Sequence, residues 1–180
     1  MADVLMPAVS LAAMPGRRRA TLDLAREIER RGFSGIYCPS FGDALGLAEA
    51  LALVTERIAF GTAIAIIYLR HASEYAHTAA LVHELSGGRF RFGVGVSHVP
   101  FLARLGVRPG KPLADMRQFV ADWRATPRVG AQPPLVVAAL RDKMVALAGE
   151  IADGVVFANA ARSYIGHSLG LLPEQRRADP

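Results

Sequence analysis

Six short apolar runs, rich in β-branched and aromatic residues, punctuate this sequence at residues 4–11, 33–38, 57–67, 89–96, 135–140 and 154–158. Longer segments with helical spacing lie between them, and no junction carries the turn chemistry of a convincing β-hairpin. Strands never joined by hairpins run parallel, with each helix carrying the chain back across the sheet. The chain is therefore α/β, with about six parallel strand-helix units. The run at 135–140, Leu-Val-Val-Ala-Ala-Leu, is apolar throughout, the pattern of a strand buried on both faces.

Local signals place the helices. Leu22, Ala25 and Ile28 share one face of a helix over residues 21–31, and Gly32 supplies its C-terminal stop. Asp43 is placed to cap a helix running to about Glu56, and Ser73 to cap one ending at Ser86-Gly87-Gly88. A loop carrying Pro100, Pro109, Gly110 and Pro112 leads to a helix over 113–125, and a further helix covers 142–152. The pattern weakens from Ala161, so residues 1–160 read as one domain and 161–180 as a C-terminal tail.

A chain of 180 residues suffices for one domain with a real core. With 52% hydrophobic and 21% charged residues, intrinsic disorder is excluded. Cys38 is the only cysteine, which rules out an internal disulfide framework and suits a small buried hydrophobe. The longest apolar stretch, 58–69, is broken by Gly61 and Thr62 and is too short to span a bilayer. Arg17–Arg19 follow the first apolar run, the reverse of a signal peptide. A cytoplasmic protein without membrane association is expected.

The formal net charge is +5 and aromatics make up 7% of the chain. Apart from Arg17–Arg19 the basic residues are scattered, so the concentrated stripe of a nucleic-acid-binding surface is missing. His71, His77 and His83 are six residues apart and fall on different helix faces. Glu74-x-x-His77 occurs once, where a di-iron carboxylate site needs two such pairs. No metal site is expected.

Periodicity alone leaves a doubly wound open sheet and a (β/α) barrel both open, because a full eight-unit barrel takes about 250 residues. A resemblance separates them. The segment from Glu74 to His98 contains Ser86-Gly-Gly-Arg-Phe-x-x-Gly-x-Gly95 and resembles the centre of the luciferase-like monooxygenase superfamily. Gly61-Thr62, Tyr68-x-Arg70-His71, Val137-Ala-Ala-Leu140 and Ala152-Asp-Gly-Val-Val156 add to the likeness. The Gly-Val-Ser-His98 ending and Pro112-Leu-x-x-Met-Arg117 are most similar to the branch that uses the deazaflavin coenzyme F420. The resemblance implies a TIM-barrel-like (β/α) fold, incomplete here because the last two units are missing. Six units leave two unpaired apolar strand edges, so the chain is expected to be a truncated member, a fragment or part of a complemented assembly. A homo-oligomer or a complementing chain is expected to cover those edges.

In a parallel barrel the chemistry sits where strands end and helices begin. Gly93-Val94-Gly95 lets backbone approach a flat ring or a phosphate closely, and His98 follows at a strand end. Imidazole suits proton transfer near neutral pH, and the resemblance implies a catalytic proton-handling role for His98. It also implies a non-proline cis peptide at Ala63–Ile64, with Ala63, Ile64, Val96 and Ser97 around the cofactor ring. Ala139, Leu140 and Arg141 fall where relatives meet the cofactor phosphate, although Arg141 stands in place of a glycine and Asp142 adds negative charge. Tyr68, Arg70 and Asn159 are candidate substrate contacts. Ser40-Phe41 occupies a strand end where some relatives place a catalytic histidine that this chain lacks.

The resemblance implies first an F420-dependent oxidoreductase that moves a hydride between the deazaflavin and a small organic substrate. The first alternative is an FMN-dependent monooxygenase of the same superfamily. It is weakened because barrel phosphate sites are frequently built after strands seven and eight. The second alternative is a non-catalytic family member that serves as a partner subunit.

Overall fold

The computed structural model describes residues 6–157 and 160–174. Its strands are β1 (Val9–Ser10), β2 (Gly35–Cys38), β3 (Ala59–Thr62), β4 (Ala65–Ile66), β5 (Phe90–Gly95), β6 (Leu135–Ala138) and β7 (Gly154–Val156). The helices are α1 (Arg18–Arg30), α2 (Ala44–Val54), α3 (Ala72–Leu85), α4 (Val99–Arg104), α5 (Pro112–Ala125), α6 (Asp142–Ile151) and α7 (Arg162–Gly170). The sheet runs β1-β2-β3-β5-β6-β7, with β4 also paired to β5. All of these ladders are parallel. The strands form a half-barrel with helices around its outside.

Alternation along each strand decides which face is which. Ile36, Cys38, Phe60, Phe90, Phe92, Val94, Leu135 and Val137 are at most 1% exposed and belong to the core under the helices. Phe92 packs on Tyr75 of α3 and Trp123 of α5, with ring centroids 5.5 and 5.8 Å away. Each phenyl ring buried this way contributes about 1.5–3 kcal/mol. The alternate positions, among them Gly35, Gly61, Gly93 and Gly95, form the inner face.

Inner-face Val136 and Ala138 of β6 are only half-buried. Burial of that strand on both faces, expected from its apolar run, is therefore not what the half-barrel provides: the outer face is covered by helices and the inner face is open.

The third apolar run is two strands rather than one. Gly61 pairs with Arg91 and Ala65 with Val94, so four steps along the first chain segment match three along β5. The extra residue forms a bulge, and within it the Ala63–Ile64 peptide is cis. Thr62 bridges the interruption, its hydroxyl donating to the Gly93 carbonyl at 2.6 Å and accepting from the Gly93 amide at 3.0 Å.

Three other boundaries differ from the sequence expectation. His71, not Ser73, caps α3, its ring Nδ1 accepting the Ser73 amide at 3.3 Å. The proline-bearing loop contains α4, with Pro100 in its first turn, where a missing N–H costs nothing. Residues 162–170 form α7, and beyond it Leu172 is buried against the core. Asp43 does cap α2, accepting the Gly46 amide at 3.0 Å.

The face opposite the strand C-termini is held by half-buried polar clamps. Arg89 donates to the carbonyls of Ser86, Ile58 and Thr55 at 2.8–2.9 Å, tying the start of β5 to the end of α2. Burial lowers the pKa of its guanidinium, which lies 5.2 Å from the Phe60 ring centroid. Glu29 of α1 accepts the amides of Glu56, Arg57 and Ile58 just before β3.

Candidate functional site

The C-terminal strand ends meet at one rim, and the bulge shapes its centre. Ala63 donates its amide to the Cys38 carbonyl at 2.7 Å, and Ile67 donates to the Gly95 carbonyl at 3.1 Å. The bulged segment is thus pinned on both sides. Gly93 and Gly95 allow the close approach this requires. A Cβ on Gly93 would lie 1.9 Å from the Thr62 carbonyl oxygen. A Cβ on Gly95 would lie 2.9 Å from Ile64 Cδ1 and 3.2 Å from the Ala138 Cβ. Ile64 of the bulge and Ala138 at the end of β6 therefore converge over Gly95. They make a half-buried apolar platform, and Val96, next in the chain after Gly95, is half-buried against the core.

Ser97 follows this platform with φ of 61°, a left-handed conformation that costs a side-chain-bearing residue about 1–2 kcal/mol. The turn directs the chain into α4, for which His98 is the N-cap. His98 is exposed, and its carbonyl accepts the Phe101 and Leu102 amides at 3.0 Å. No side-chain hydrogen bond caps this helix, so the imidazole is not spent on holding the local fold.

Next along the rim, Ala139 is buried and donates its amide to the Val156 carbonyl at 3.1 Å. Leu140 is half-exposed and Arg141 exposed. Arg141 is the N-cap of α6, its carbonyl accepting the Met144 amide at 2.8 Å. Neither Arg141 nor Lys143 forms an ion pair among the described residues. Asp142 between them is engaged with α7. His167 Nε2 lies 3.2 Å from one carboxylate oxygen, and the Tyr164 hydroxyl donates to the other at 3.0 Å. Those two contacts hold its pKa below the ordinary aspartate value.

Tyr68 and Arg70 lie at the same rim but hold partners of their own. The Tyr68 hydroxyl donates to Asp115 Oδ2 of α5 at 2.7 Å, and burial followed by the neighbouring carboxylate raises its pKa. Arg70 Nη2 donates to Asp43 Oδ2 at 2.6 Å, and its guanidinium stands 5.8 Å from the Tyr75 ring centroid. This ion pair joins two loops 27 residues apart, a link that spacing along the sequence does not reveal. Below it lies a cavity of about 160 Å³ bounded by Ser40, Ile64, Ile66, Arg70 and Tyr75. Tyr75 closes it, its hydroxyl donating to the Ile66 carbonyl at 2.9 Å and its pKa pushed up by burial to about 12. Asn159 lies outside the described residues.

Cys38 is fully buried, and burial pushes its thiol up to about 12, so it packs as a hydrophobe. Among the described residues no group of three or more His, Cys, Asp or Glu side chains could hold a metal ion. No helix among them is long and apolar enough to cross a membrane.

Comparison with known proteins places this geometry. The chain is 27% identical over 155 residues to the 5,10-methylenetetrahydromethanopterin reductase of Methanolobus tindarius, an alignment covering 73% of this chain and 48% of that protein. The coenzyme F420-dependent tetrahydromethanopterin reductase of Methanopyrus kandleri superposes with a TM-score of 0.78 at 18% identity, covering 93% of this chain and 59% of that one. Monooxygenase RslO1 of Streptomyces bottropensis superposes with a TM-score of 0.79 at 14% identity, covering 97% and 66%. These structural likenesses establish the barrel type of fold. The chain spans about half the length of the curated relative it matches. Residues 4–128 match the family model for luciferase-like monooxygenases, and the chain belongs to that family.

Proposed function

We propose that this chain is an oxidoreductase of the luciferase-like family that uses coenzyme F420 and transfers a hydride between the deazaflavin and a small organic substrate. The observation that carries the reading is the convergence of Ile64 and Ala138 over Gly95 into one apolar platform, at a rim that also carries Arg141 and Lys143, neither of them ion-paired among the described residues. That donor set fits a flat ring bearing an acidic tail. The likeness to the coenzyme F420-dependent reductase of Methanopyrus kandleri supports the choice of F420 over other flavin-like groups.

When bound, the deazaflavin supplies the hydride chemistry. In this reading the chain's own residues orient and solvate. Ala63, Ile64, Val96 and Ser97 hold the ring, and Ala139, Leu140 and Arg141 face its phosphate end, where the positive charges of Arg141 and Lys143 attract it. His98, exposed and free of capping duty, gives or takes the proton that accompanies reduction or oxidation of the substrate. Tyr68 and Arg70, fixed by Asp115 and Asp43, set the wall against which substrate lies. Asn159, which lies outside the described residues, is proposed as a further substrate contact. The substrate wall, the proton role of His98 and a cytoplasmic setting are parts of the same proposal.

We further propose that another chain or a second copy covers the edges at β1 and β7. Among the described residues β1 pairs only with β2 and β7 only with β6, and unpaired edges invite association.

A second reading, an FMN-dependent monooxygenase, is supported by the RslO1 likeness. Titration of the purified chain into F420 and separately into FMN, followed by cofactor fluorescence, separates the two. Saturable quenching of F420 alone is the expected result. Quenching of FMN alone overturns it in favour of the second reading, and no response to either leaves a non-catalytic family member.

A further inference from the structure

A second cleft, of about 610 Å³, lies between the β1–α1 and β2–α2 connections. Its walls are apolar: Ala13, Met14, Leu22, Phe41, Leu47 and Ala50 line it. The volume is that of a pocket for a small organic ligand. Phe41 is 71% exposed and Met14 56%, so the mouth itself is apolar.

Two charged side chains also line it. Asp43 is already neutralised by Arg70 at 2.6 Å and capped onto the Gly46 amide. Arg18 is not neutralised. It lies within the run Arg17–Arg19, and none of the three forms an ion pair among the described residues, whereas Arg26 and Arg30 on the same helix and Arg31 at its C-cap are each paired with a carboxylate. No acidic side chain stands in the first turn of α1. The cleft therefore combines an apolar interior with an uncompensated positive edge.

We propose that this cleft binds a small amphipathic anion, its apolar body between α1 and α2 and its carboxylate or phosphate held by Arg18 in the field of Arg17 and Arg19. The assignment does not depend on the cofactor reading and can fail or succeed separately from it.

Calorimetric titration of the cofactor-free chain with decanoate tests the idea, with decanol and decyltrimethylammonium as neutral and cationic counterparts. Decanoate is expected to bind with a dissociation constant of about 1 mM or tighter, at least fivefold better than either counterpart. Arg18→Gln, a surface change, should weaken decanoate at least fivefold and leave decanol unaffected. Ala50→Trp, which fills the cleft from one wall, should abolish binding of both with the thermal transition retained. Arg26→Gln, on the same helix outside the cleft, should change nothing. Equal binding of decanoate, decanol and the cation overturns the proposal, as does unaltered decanoate affinity in Arg18→Gln or in Ala50→Trp.

Discussion

A single hydroxyl, that of Thr62, both donates to and accepts from the backbone of Gly93, at 2.6 and 3.0 Å. It takes the place of the ladder bonds lost where the third strand bulges, and so keeps the rim of the half-barrel continuous at its centre. Thr62→Val preserves shape but leaves a buried amide and carbonyl of Gly93 unsatisfied. Such a loss costs about 1–3 kcal/mol, read as a lower urea midpoint at unchanged slope.

Gly93→Ala tests the close approach itself. A Cβ 1.9 Å from the Thr62 carbonyl oxygen cannot be relieved by a rotamer change, because the obstacle is backbone. The strands must part, and destabilisation of about 3 kcal/mol or more is expected. Thermal unfolding of the purified variant checks it, and a melting temperature equal to that of the parent contradicts the tight strand contact.

Arg89 makes the opposite prediction about function. Its bonds run to carbonyls on the face away from the rim, so Arg89→Met leaves several acceptors without a donor. A loss of about 2–4 kcal/mol is expected. Any cofactor affinity should stay within about twofold of the parent in the folded fraction, because distant sites act independently. Urea unfolding alongside a fluorescence titration separates the two readouts.

Acid stability should depend on Glu29. Burial pushes its pKa up, but the amides of Ile58, Arg57 and Glu56 outweigh that, and the net shift is below the ordinary value of 4.5. A carboxyl group with a depressed folded value stabilises fully above its unfolded value and loses that contribution as pH falls through the folded one. Melting temperature should therefore drop as pH is lowered from about 4.5, and Glu29→Gln should flatten that drop while lowering stability at neutral pH. Glu27, held down to about 2 by Arg30 and Arg31, is paired only with exposed, solvent-screened guanidinium groups, so Glu27→Gln should change the profile much less.

Much of the scaffold is readable from the chain because it is written locally. Gly32 and Gly87-Gly88 end their helices, Asp43 starts one, and the alternation of Phe90, Phe92 and Val94 marks a buried face. What is not readable is non-local or locally ambiguous. Apart from Gly61 and Thr62 the segment Ala59 to Ile67 is apolar, so composition does not mark the residue at which pairing shifts register. His71 displaces Ser73 as a cap because an imidazole nitrogen can accept the same amide. Tyr164 and His167 reach Asp142 across more than twenty residues, which gives α7 its anchor where the sequence pattern is weak. At the rim, the cis peptide follows from the family resemblance, whereas the Asp43–Arg70 and Tyr68–Asp115 pairs emerge only in three dimensions.

The most direct test of the rim as a cofactor site is hydrogen–deuterium exchange with and without saturating F420. Slowed exchange is predicted in peptides covering residues 62–68, 95–98 and 139–141, with peptides around Glu29 and Arg89 unaffected. Exchange unchanged at all three rim segments, or protection confined to the opposite face, contradicts the account.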